Sequence, residues 1–410
     1  MDFFGARDNL YLQENLMAFQ GVVITGTSGS GKSTIARKLC ETDDRFQIVR
    51  AVTTRTKRED DLPGTYEYIS SADFSKYQSN KQFLITAEYR DQQYAIRHSD
   101  YEAIVRARKI PVLTITPESL KRLSATTNIP PNSRHPQFLS FFVDAPDSLL
   151  DRRLSERGSS HLTPVIMDHR EIDRKHKADC HYVIENHDLN TSVSLLTWLW
   201  DNSHNGGILS DRIIRLMFGC RMLLDNVRDE NISGASYDLS LGDEYFYGGS
   251  IHQLSDRDPI LLIEPYDYAI VTSDESSNLP NDVCARFDLS VSLFCQGIIL
   301  SNGPQIDPGF KGPLFCLLFN TSSSPVLLKR RQHYATLEFH KMMEPTYSYR
   351  GQYQAKSLLH YLPSNAARGA INELKKELEQ VRKESQQLQN TTWAILALIL
   401  ALVAVWLTLK

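Results

Sequence analysis

At 410 residues the chain exceeds one ordinary hydrophobic core, and two or three domains are expected. Apolar residues make up 41% and charged residues 23%, a globular balance; the net charge of -4 and pI near 6.3 exclude the basic excess of a general nucleic-acid binder. Six cysteines are scattered with no C-x-x-C pair, as buried thiols in a reducing compartment are, and the N-terminus lacks the basic-then-apolar pattern of a secretory signal.

The first strong pattern in chain order is Gly26-Thr27-Ser28-Gly29-Ser30-Gly31-Lys32-Ser33, preceded by the apolar run Gly21 to Ile24 and followed from Thr34 to Cys40 by a helical pattern. This is the G-x-x-x-x-G-K-[ST] phosphate loop in its strand-to-helix context. Three glycines let backbone N–H groups face a polyphosphate at a helix N-terminus, Lys32 reaches the β- and γ-phosphates of ATP or GTP, and Ser33 serves as the Mg²⁺ ligand. Thr34 completes the loop's entry into the helix.

A short apolar strand, Ile48 to Val52, then runs into the basic turn Thr53-Thr54-Arg55-Thr56-Lys57-Arg58. Two arginines three residues apart can clamp a second phosphate through their planar forks, and Tyr66, Tyr68 and Tyr94 can support an acceptor. Ile110 to Ile115 and Phe138 to Val143 read as central parallel strands. Leu149 to Arg157 reads as a helix ended by Gly158, followed by a polar stretch with His169 and Arg170.

Over residues 15–200 these pieces resemble the guanylate kinase family of P-loop phosphotransferases: the phosphate loop, the Arg55/Arg58 turn, Tyr66 before Ile69-Ser70, Phe83-Leu84 leading to Tyr94, the Arg157-Gly158 lid entry, and Tyr182 to Asn186. The resemblance implies an α/β domain with a parallel sheet, in which Arg55, Arg58, Tyr66 and Tyr94 hold the acceptor phosphate. It also implies that Lys32 and the lid arginines, Arg157 and Arg170, close on the transferring phosphate. The chain departs from the family at Ala51, where a serine is usual, at Ile85, where a glutamate reads guanine, and at Thr114 and Thr116, where an acidic strand end faces Mg²⁺. An isoleucine leaves the guanine edge unpaired, so the expected acceptor is a nucleotide or sugar phosphate other than GMP.

Residues 201–207 form a polar, glycine-bearing boundary, after which Ser210 is placed to cap a helix from Asp211 to Met217. Short strands follow at Ser236–Gly242, Pro259–Glu264, Tyr268–Thr272, Ser290–Phe294, Gly297–Leu300, Leu314–Phe319 and Tyr334–Phe339, a spacing that indicates a β-sandwich or barrel. Ile208 to Asp211, Gly234 to Gly242, Ile306-Asp307-Pro308-Gly309-Phe310-Lys311-Gly312 and Tyr349 to Gln354 together resemble the dCTP deaminase and dUTPase superfamily across residues 207–355. The resemblance implies an all-β domain, a homotrimer with shared sites, water activation by Asp307 and deoxyribose packing on Phe310. Leu317 stands at the deaminase glutamate, and Ser290, Cys295 and Gln305 stand at triphosphate-binding arginines, so the usual triphosphate binding and deamination are not expected. Lys311, Lys329, Arg330 and Arg331 are candidates to rebuild a phosphate site.

Ile371, Leu374, Leu378, Val381 and Leu388 trace a heptad seam, and residues 366–390 are expected to form a stalk that can join copies of the chain. Residues 391–409 are almost wholly apolar, with Trp393 and Trp406 near the two ends and Lys410 beyond, the pattern of a transmembrane tail anchor with the soluble domains in the cytoplasm. Three functions remain open: a kinase-like nucleotide-binding protein, a bifunctional deoxynucleotide enzyme, and a nucleotide sensor without turnover at the membrane. No nucleic-acid partner is expected.

Overall fold

The computed structural model describes residues 19–57, 61, 64–89, 91–126, 138–156, 163–362 and 370–408. The first domain is built on a parallel sheet. Its strands are β1 (Val22–Gly26), β2 (Phe46–Ile48), β7 (Ile110–Thr114), β8 (Leu139–Asp144) and β9 (Tyr182–Glu185), in the order β2-β7-β1-β8-β9. The central strands β1 and β8 are buried at every position, as near-continuous apolar runs require when both sheet faces are covered. A second sheet, ordered β4-β3-β6-β5, holds β3 (Ala51–Thr53), β4 (Tyr66–Tyr68), β5 (Phe83–Tyr89) and β6 (Gln92–Arg97). The apolar run from Ile48 to Val52 is therefore split between two sheets.

The helices are α1 (Lys32–Thr42), α2 (Ser71–Ser79), α3 (His98–Arg106), α4 (Pro117–Thr126), α5 (Asp147–Glu156), α6 (Thr163–Arg174) and α7 (Leu189–Asp201). Asp188 caps α7 by accepting from the Thr191 N–H at 2.7 Å, and Val193, Leu195, Leu196 and Leu199 bury its apolar stripe. A 3-10 turn at Lys175–Asp179 joins α6 to β9.

The second domain is strand-rich: β10 (Gly207–Ile208), β11 (Leu223–Asp225), β12 (Ile232–Ser233), β13 (Ser236–Tyr247), β14 (Ser250–Gln253), β15 (Ile260–Ile263), β16 (Tyr268–Asn278), β17 (Val283–Leu289), β18 (Ile298–Ser301), β19 (Lys311–Asn320), β20 (Val326–Lys329) and β21 (His333–Lys341). Its spine is the antiparallel run β10-β21-β13-β16-β19-β18. Burial alternates along β19 and β21, so one face of each packs on the core. Ser210 does precede a helix, α8 (Asp211–Gly219), but its side chain makes no capping bond. One expected strand is a helix instead: Val291–Phe294 forms the short α9, entered from Ser290 and left through Gly297 at φ +84°. A serine in an extended conformation favours helix entry and a left-handed glycine terminates it, outweighing the β preference of Val291.

The polar segment 201–207 does not separate two cores. One cluster runs from Ile24, Leu39 and Phe141 through Leu196 and Leu199 to Ile214, Met217, Leu239 and Phe339. Beside it, the Tyr182 hydroxyl donates to the Asp282 carboxylate, and the Lys341 ammonium pairs with that carboxylate at 3.1 Å, both ions at most 2% exposed. Burial, together with the Asp282 charge, pushes the Tyr182 hydroxyl well above its usual range.

Residues 370–408 form one unbroken helix, α10 (Ala370–Thr408), about 58 Å long. Leu374, Leu378, Val381 and Leu388 are exposed along its first half. The segment Glu377–Ala404 is long and apolar enough to cross a bilayer. Leu409 and Lys410 lie outside the described residues, as do the first four positions of the expected stalk.

Two stability measurements check this architecture. Lys341→Ala leaves the Asp282 carboxylate buried without its cation, and urea denaturation is expected to show a loss of about 3–5 kcal/mol. His181, whose Nδ1 accepts from the Ser140 N–H at 3.0 Å, is pushed down by burial to about 4. Its pKa is near 6.5 in the unfolded chain, so the unfolded state takes up the proton first as pH falls. Stability is expected to hold above pH 6.5 and to drop by roughly 3 kcal/mol in total as pH falls to about 4, an effect that His181→Gln removes.

Candidate functional site

The phosphate loop takes its shape from close approach. A Cβ on Gly26, at φ +136°, would lie 1.9 Å from the Val143 carbonyl oxygen on β8, and one on Gly31, at φ +96°, would lie 2.6 Å from Asn186 Nδ2. Only glycine fits at either position. Gly31 is also the residue from which α1 starts, so the open N–H groups of its first turn, including those of Lys32, Ser33 and Thr34, stand at the loop's mouth.

The loop is braced from three sides. Ser30 Oγ donates to the Thr27 carbonyl at 2.8 Å, Asn186 Nδ2 donates to the Ser30 carbonyl at 2.8 Å, and Arg153 Nη1 reaches the same carbonyl at 3.3 Å. Thr27 Oγ1 donates to Asp144 Oδ1 at 2.8 Å. Burial alone would raise the Asp144 carboxyl, but Lys177 at 2.8 Å and Arg174 at 3.0 Å more than offset it and hold the group below its usual value. Lys32 Nζ donates to the Gly26 and Thr27 carbonyls at 2.8 and 2.7 Å, folded along the loop that a phosphate would share with it.

A cavity of about 150 Å³ opens between this loop and the β5–β6 hairpin. Gly26, Ser28, Lys32 and Ser33 line one side; Ala51, Tyr66, Ile85, Thr86 and Tyr94 line the other, with Thr114, Thr116 and Asp173 along the floor. The structure thus brings Lys32 and Ser33, at the start of α1, together with Tyr66 and Tyr94 of the second sheet. Arg55 stands behind Tyr66, whose ring centroid is 4.7 Å from the guanidinium carbon. The guanidinium binds the Asp61 carboxylate through its two terminal nitrogens, at 2.6 and 2.5 Å. Arg58 and Arg157 lie outside the described residues. Arg170 is buried at 3% exposure against α5, donating to Asp151 at 2.7 Å, and does not line the cavity.

Sequence reasoning missed Asp61, Asp144 and Asp173. Asp144 had a signal, an acidic residue ending the apolar run of β8 next to the loop strand. Asp61 had a weak one, an acid six residues after Arg55 but one of three in a row with Glu59 and Asp60, whereas Asp173 had none, because only folding sets it beside the cavity. Ser33 and Asp173 supply a hydroxyl and a carboxylate, oxygen donors of the kind that suits Mg²⁺.

The second domain has a larger cleft, about 900 Å³, lined by Arg286, Asp288, Asn302, Gln305, Asp307, Phe310, Thr336 and Glu338, and by Tyr349, Tyr353 and Tyr361 of the segment after β21. That segment is fastened by the Tyr349 N–H on the Pro308 carbonyl at 2.9 Å and by an edge contact between the Phe310 and Tyr349 rings at 5.6 Å. Asp307 accepts from the neutral amide of Gln305 at 2.9 Å. Arg330 binds Asp243 and Asp256, and Arg331 faces Asp274, so neither points a cation into the cleft; Lys329 does not line it either.

Comparison with known proteins divides the chain in two. Residues 19–202 match the family model for guanylate kinase, and residues 208–342 match the one for dCTP deaminase-like proteins. A dCTP deaminase of Pyrococcus horikoshii is 31% identical over 139 residues, covering 34% of this chain and 88% of the relative. A guanylate kinase of Agrobacterium fabrum is 30% identical over 174 residues, covering 41% of this chain and 75% of the relative. The crystal structure of guanylate kinase from Anaplasma phagocytophilum matches 45% of this chain and 87% of its own, at 21% identity and a TM-score of 0.35.

Removing the loop's cation tests the site. Lys32→Ala is expected to weaken ATP binding by roughly 2–4 kcal/mol, about 30- to 1,000-fold in Kd, by titration calorimetry, with little change in the unfolding midpoint.

Proposed function

Because the chain belongs to the guanylate kinase family in its first domain and to the dCTP deaminase-like family in its second, we propose that it is a membrane-anchored nucleotide-binding protein. Its first domain carries ATP or GTP and transfers the γ-phosphoryl group to a nucleotide or sugar-phosphate acceptor other than GMP. Its second domain binds nucleotide without deaminating it.

One observation carries the reading: the phosphate-loop residues Lys32 and Ser33 and the apolar Ile85 share one cavity. Lys32 would leave the two loop carbonyls to meet the β- and γ-phosphates, balancing the charge that builds as the γ-phosphorus moves from the leaving oxygen to the acceptor oxygen. Ser33 and Asp173 would hold Mg²⁺, whose bound charge supports the same transfer. Ile85, 5% exposed among Ala51, Tyr94 and Ile96, offers the acceptor an apolar wall and no hydrogen-bond partner. A guanine edge placed there would lose its bonds to water without replacement.

For the second domain, the reading rests on what the side chains can do. Leu317, at the family's proton-relay position, has no group to move a proton, and Asp307 is matched with a neutral amide where the family has an arginine. The dCTP deaminase family is trimeric, and in this chain the stalk seam of α10 is exposed in the single copy. Three such helices would bury Leu374, Leu378, Val381 and Leu388 together along a common seam.

The test uses the full chain in lipid nanodiscs with labelled ATP, Mg²⁺ and a panel of nucleoside monophosphates, deoxynucleotides and ribose phosphates. Label is expected on a phosphate-bearing acceptor other than GMP, and no ammonia is expected from dCTP. Ile85→Glu, which returns a carboxylate to the cavity wall, is expected to raise GMP phosphorylation at least tenfold. Ordinary turnover of GMP by the unaltered chain would sink the acceptor assignment, and transfer to nothing would sink the kinase reading.

A further inference from the structure

The cation expected to hold the acceptor's phosphate already has an anion on it. Arg55 and Asp61 are 7% and 8% exposed and face each other fork to fork. Nη1 meets Oδ2 at 2.6 Å and Nη2 meets Oδ1 at 2.5 Å, while the Tyr68 hydroxyl donates to Oδ2 at 2.6 Å. Tyr66 covers the guanidinium face and also lines the cavity, whereas the guanidinium does not reach the cavity wall. Two carboxylate oxygens on one guanidinium reproduce the arrangement that two oxygens of a phosphate monoester adopt on it.

We propose that Asp61 is an internal stand-in for the acceptor's phosphate: its carboxylate occupies the bidentate face of Arg55, and a phosphate-bearing acceptor binds only by displacing it. The inference rests on the proposed acceptor role of Arg55 and adds what controls access to it. Exchange sets a threshold, because the incoming group must match both of the carboxylate's bonds to the fork. A dianionic phosphate monoester can do so. A neutral nucleoside has nothing to offer the guanidinium and leaves Asp61 in place. The acceptor class this selects is therefore a phosphate monoester, and Asp61 tunes its affinity.

Asp61→Asn keeps the shape and an oxygen for the Tyr68 hydroxyl but removes the charge that competes for Arg55. Binding of ribo- and deoxynucleoside 5′-monophosphates, ribose 5-phosphate and inorganic phosphate to the full chain in nanodiscs is measured by calorimetry for the unaltered chain and the variant. Unchanged ATP affinity and a single cooperative unfolding transition verify that the variant is folded, the midpoint itself being expected to fall because Arg55 loses a buried partner. The proposal expects the phosphate monoesters that bind to do so about tenfold more tightly in the variant, with no change for the matching nucleosides. If they bind the unaltered chain and Asp61→Asn leaves affinity equal or lower, Asp61 serves only to hold Arg55 in place; the stand-in is overturned while the acceptor reading survives. Binding of none of these ligands to either protein, with ATP still bound, overturns both. Should the variant fail to fold, hydrogen exchange of the unaltered chain decides: the peptide carrying Asp61 is expected to exchange faster when a binding monophosphate is added, and slower or equal exchange overturns the proposal.

Discussion

Strand β9 joins what the rest of the molecule needs joined. Its Tyr182 hydroxyl reaches across to Asp282 of the second domain, and the asparagine just past its end, Asn186, holds the Ser30 carbonyl of the phosphate loop. The strand pairs with β8 in register, so Asp144, which receives the Thr27 hydroxyl, sits beside Glu185. One short element thus ties the nucleotide loop to the neighbouring domain. The tie is costly to break because Asp282 and Lys341 are both buried and neither can be rehydrated without opening the core.

A second regularity is that several cations near the nucleotide loop and in the second domain meet carboxylates of the same chain. Arg55 meets Asp61, Arg174 and Lys177 meet Asp144, and Arg330 meets Asp243 and Asp256. The net charge of -4 gives the chain no overall positive excess to draw in a polyanion from a distance. Under the proposal for Arg55, recognition of phosphate there is an exchange of partners whose strength depends on how well Asp61 is held. The loop N–H groups at the start of α1 differ, because a helix N-terminus offers its donors to whatever anion arrives.

Some of this was legible from local chemistry alone. The loop glycines announce themselves because phosphate wrapping requires backbone that only glycine adopts, and Ile85 stands out because a carboxylate is replaced by a hydrocarbon. The apolar run of α10 is readable by length. The helix at Val291–Phe294 was hidden by its β-branched first residue, and the split of Ile48 to Val52 between two sheets cannot be seen in a continuous apolar run. Asp61 looks like one of several acids in an acidic run, although Arg55 and Tyr68 lie within seven residues of it, and Asp173 is brought to the cavity only by the fold.

The sequence by itself determined the order of parts: a phosphate loop in an α/β domain, a β domain with an Asp307-Pro308-Gly309 turn, and a long helix ending in an apolar stretch. Those features depend on residue types at short spacing, where backbone sterics and hydrophobic periodicity act within a few residues. Only the tertiary structure decided that the two domains share a continuous core, that Arg55 is already bound, and that Arg170 turns away from the cavity. The first and third are contacts between segments far apart in the chain, and the second is a choice among several nearby acids; apolar burial and the cost of an unpaired buried charge select them, and a linear pattern does not say which partner wins.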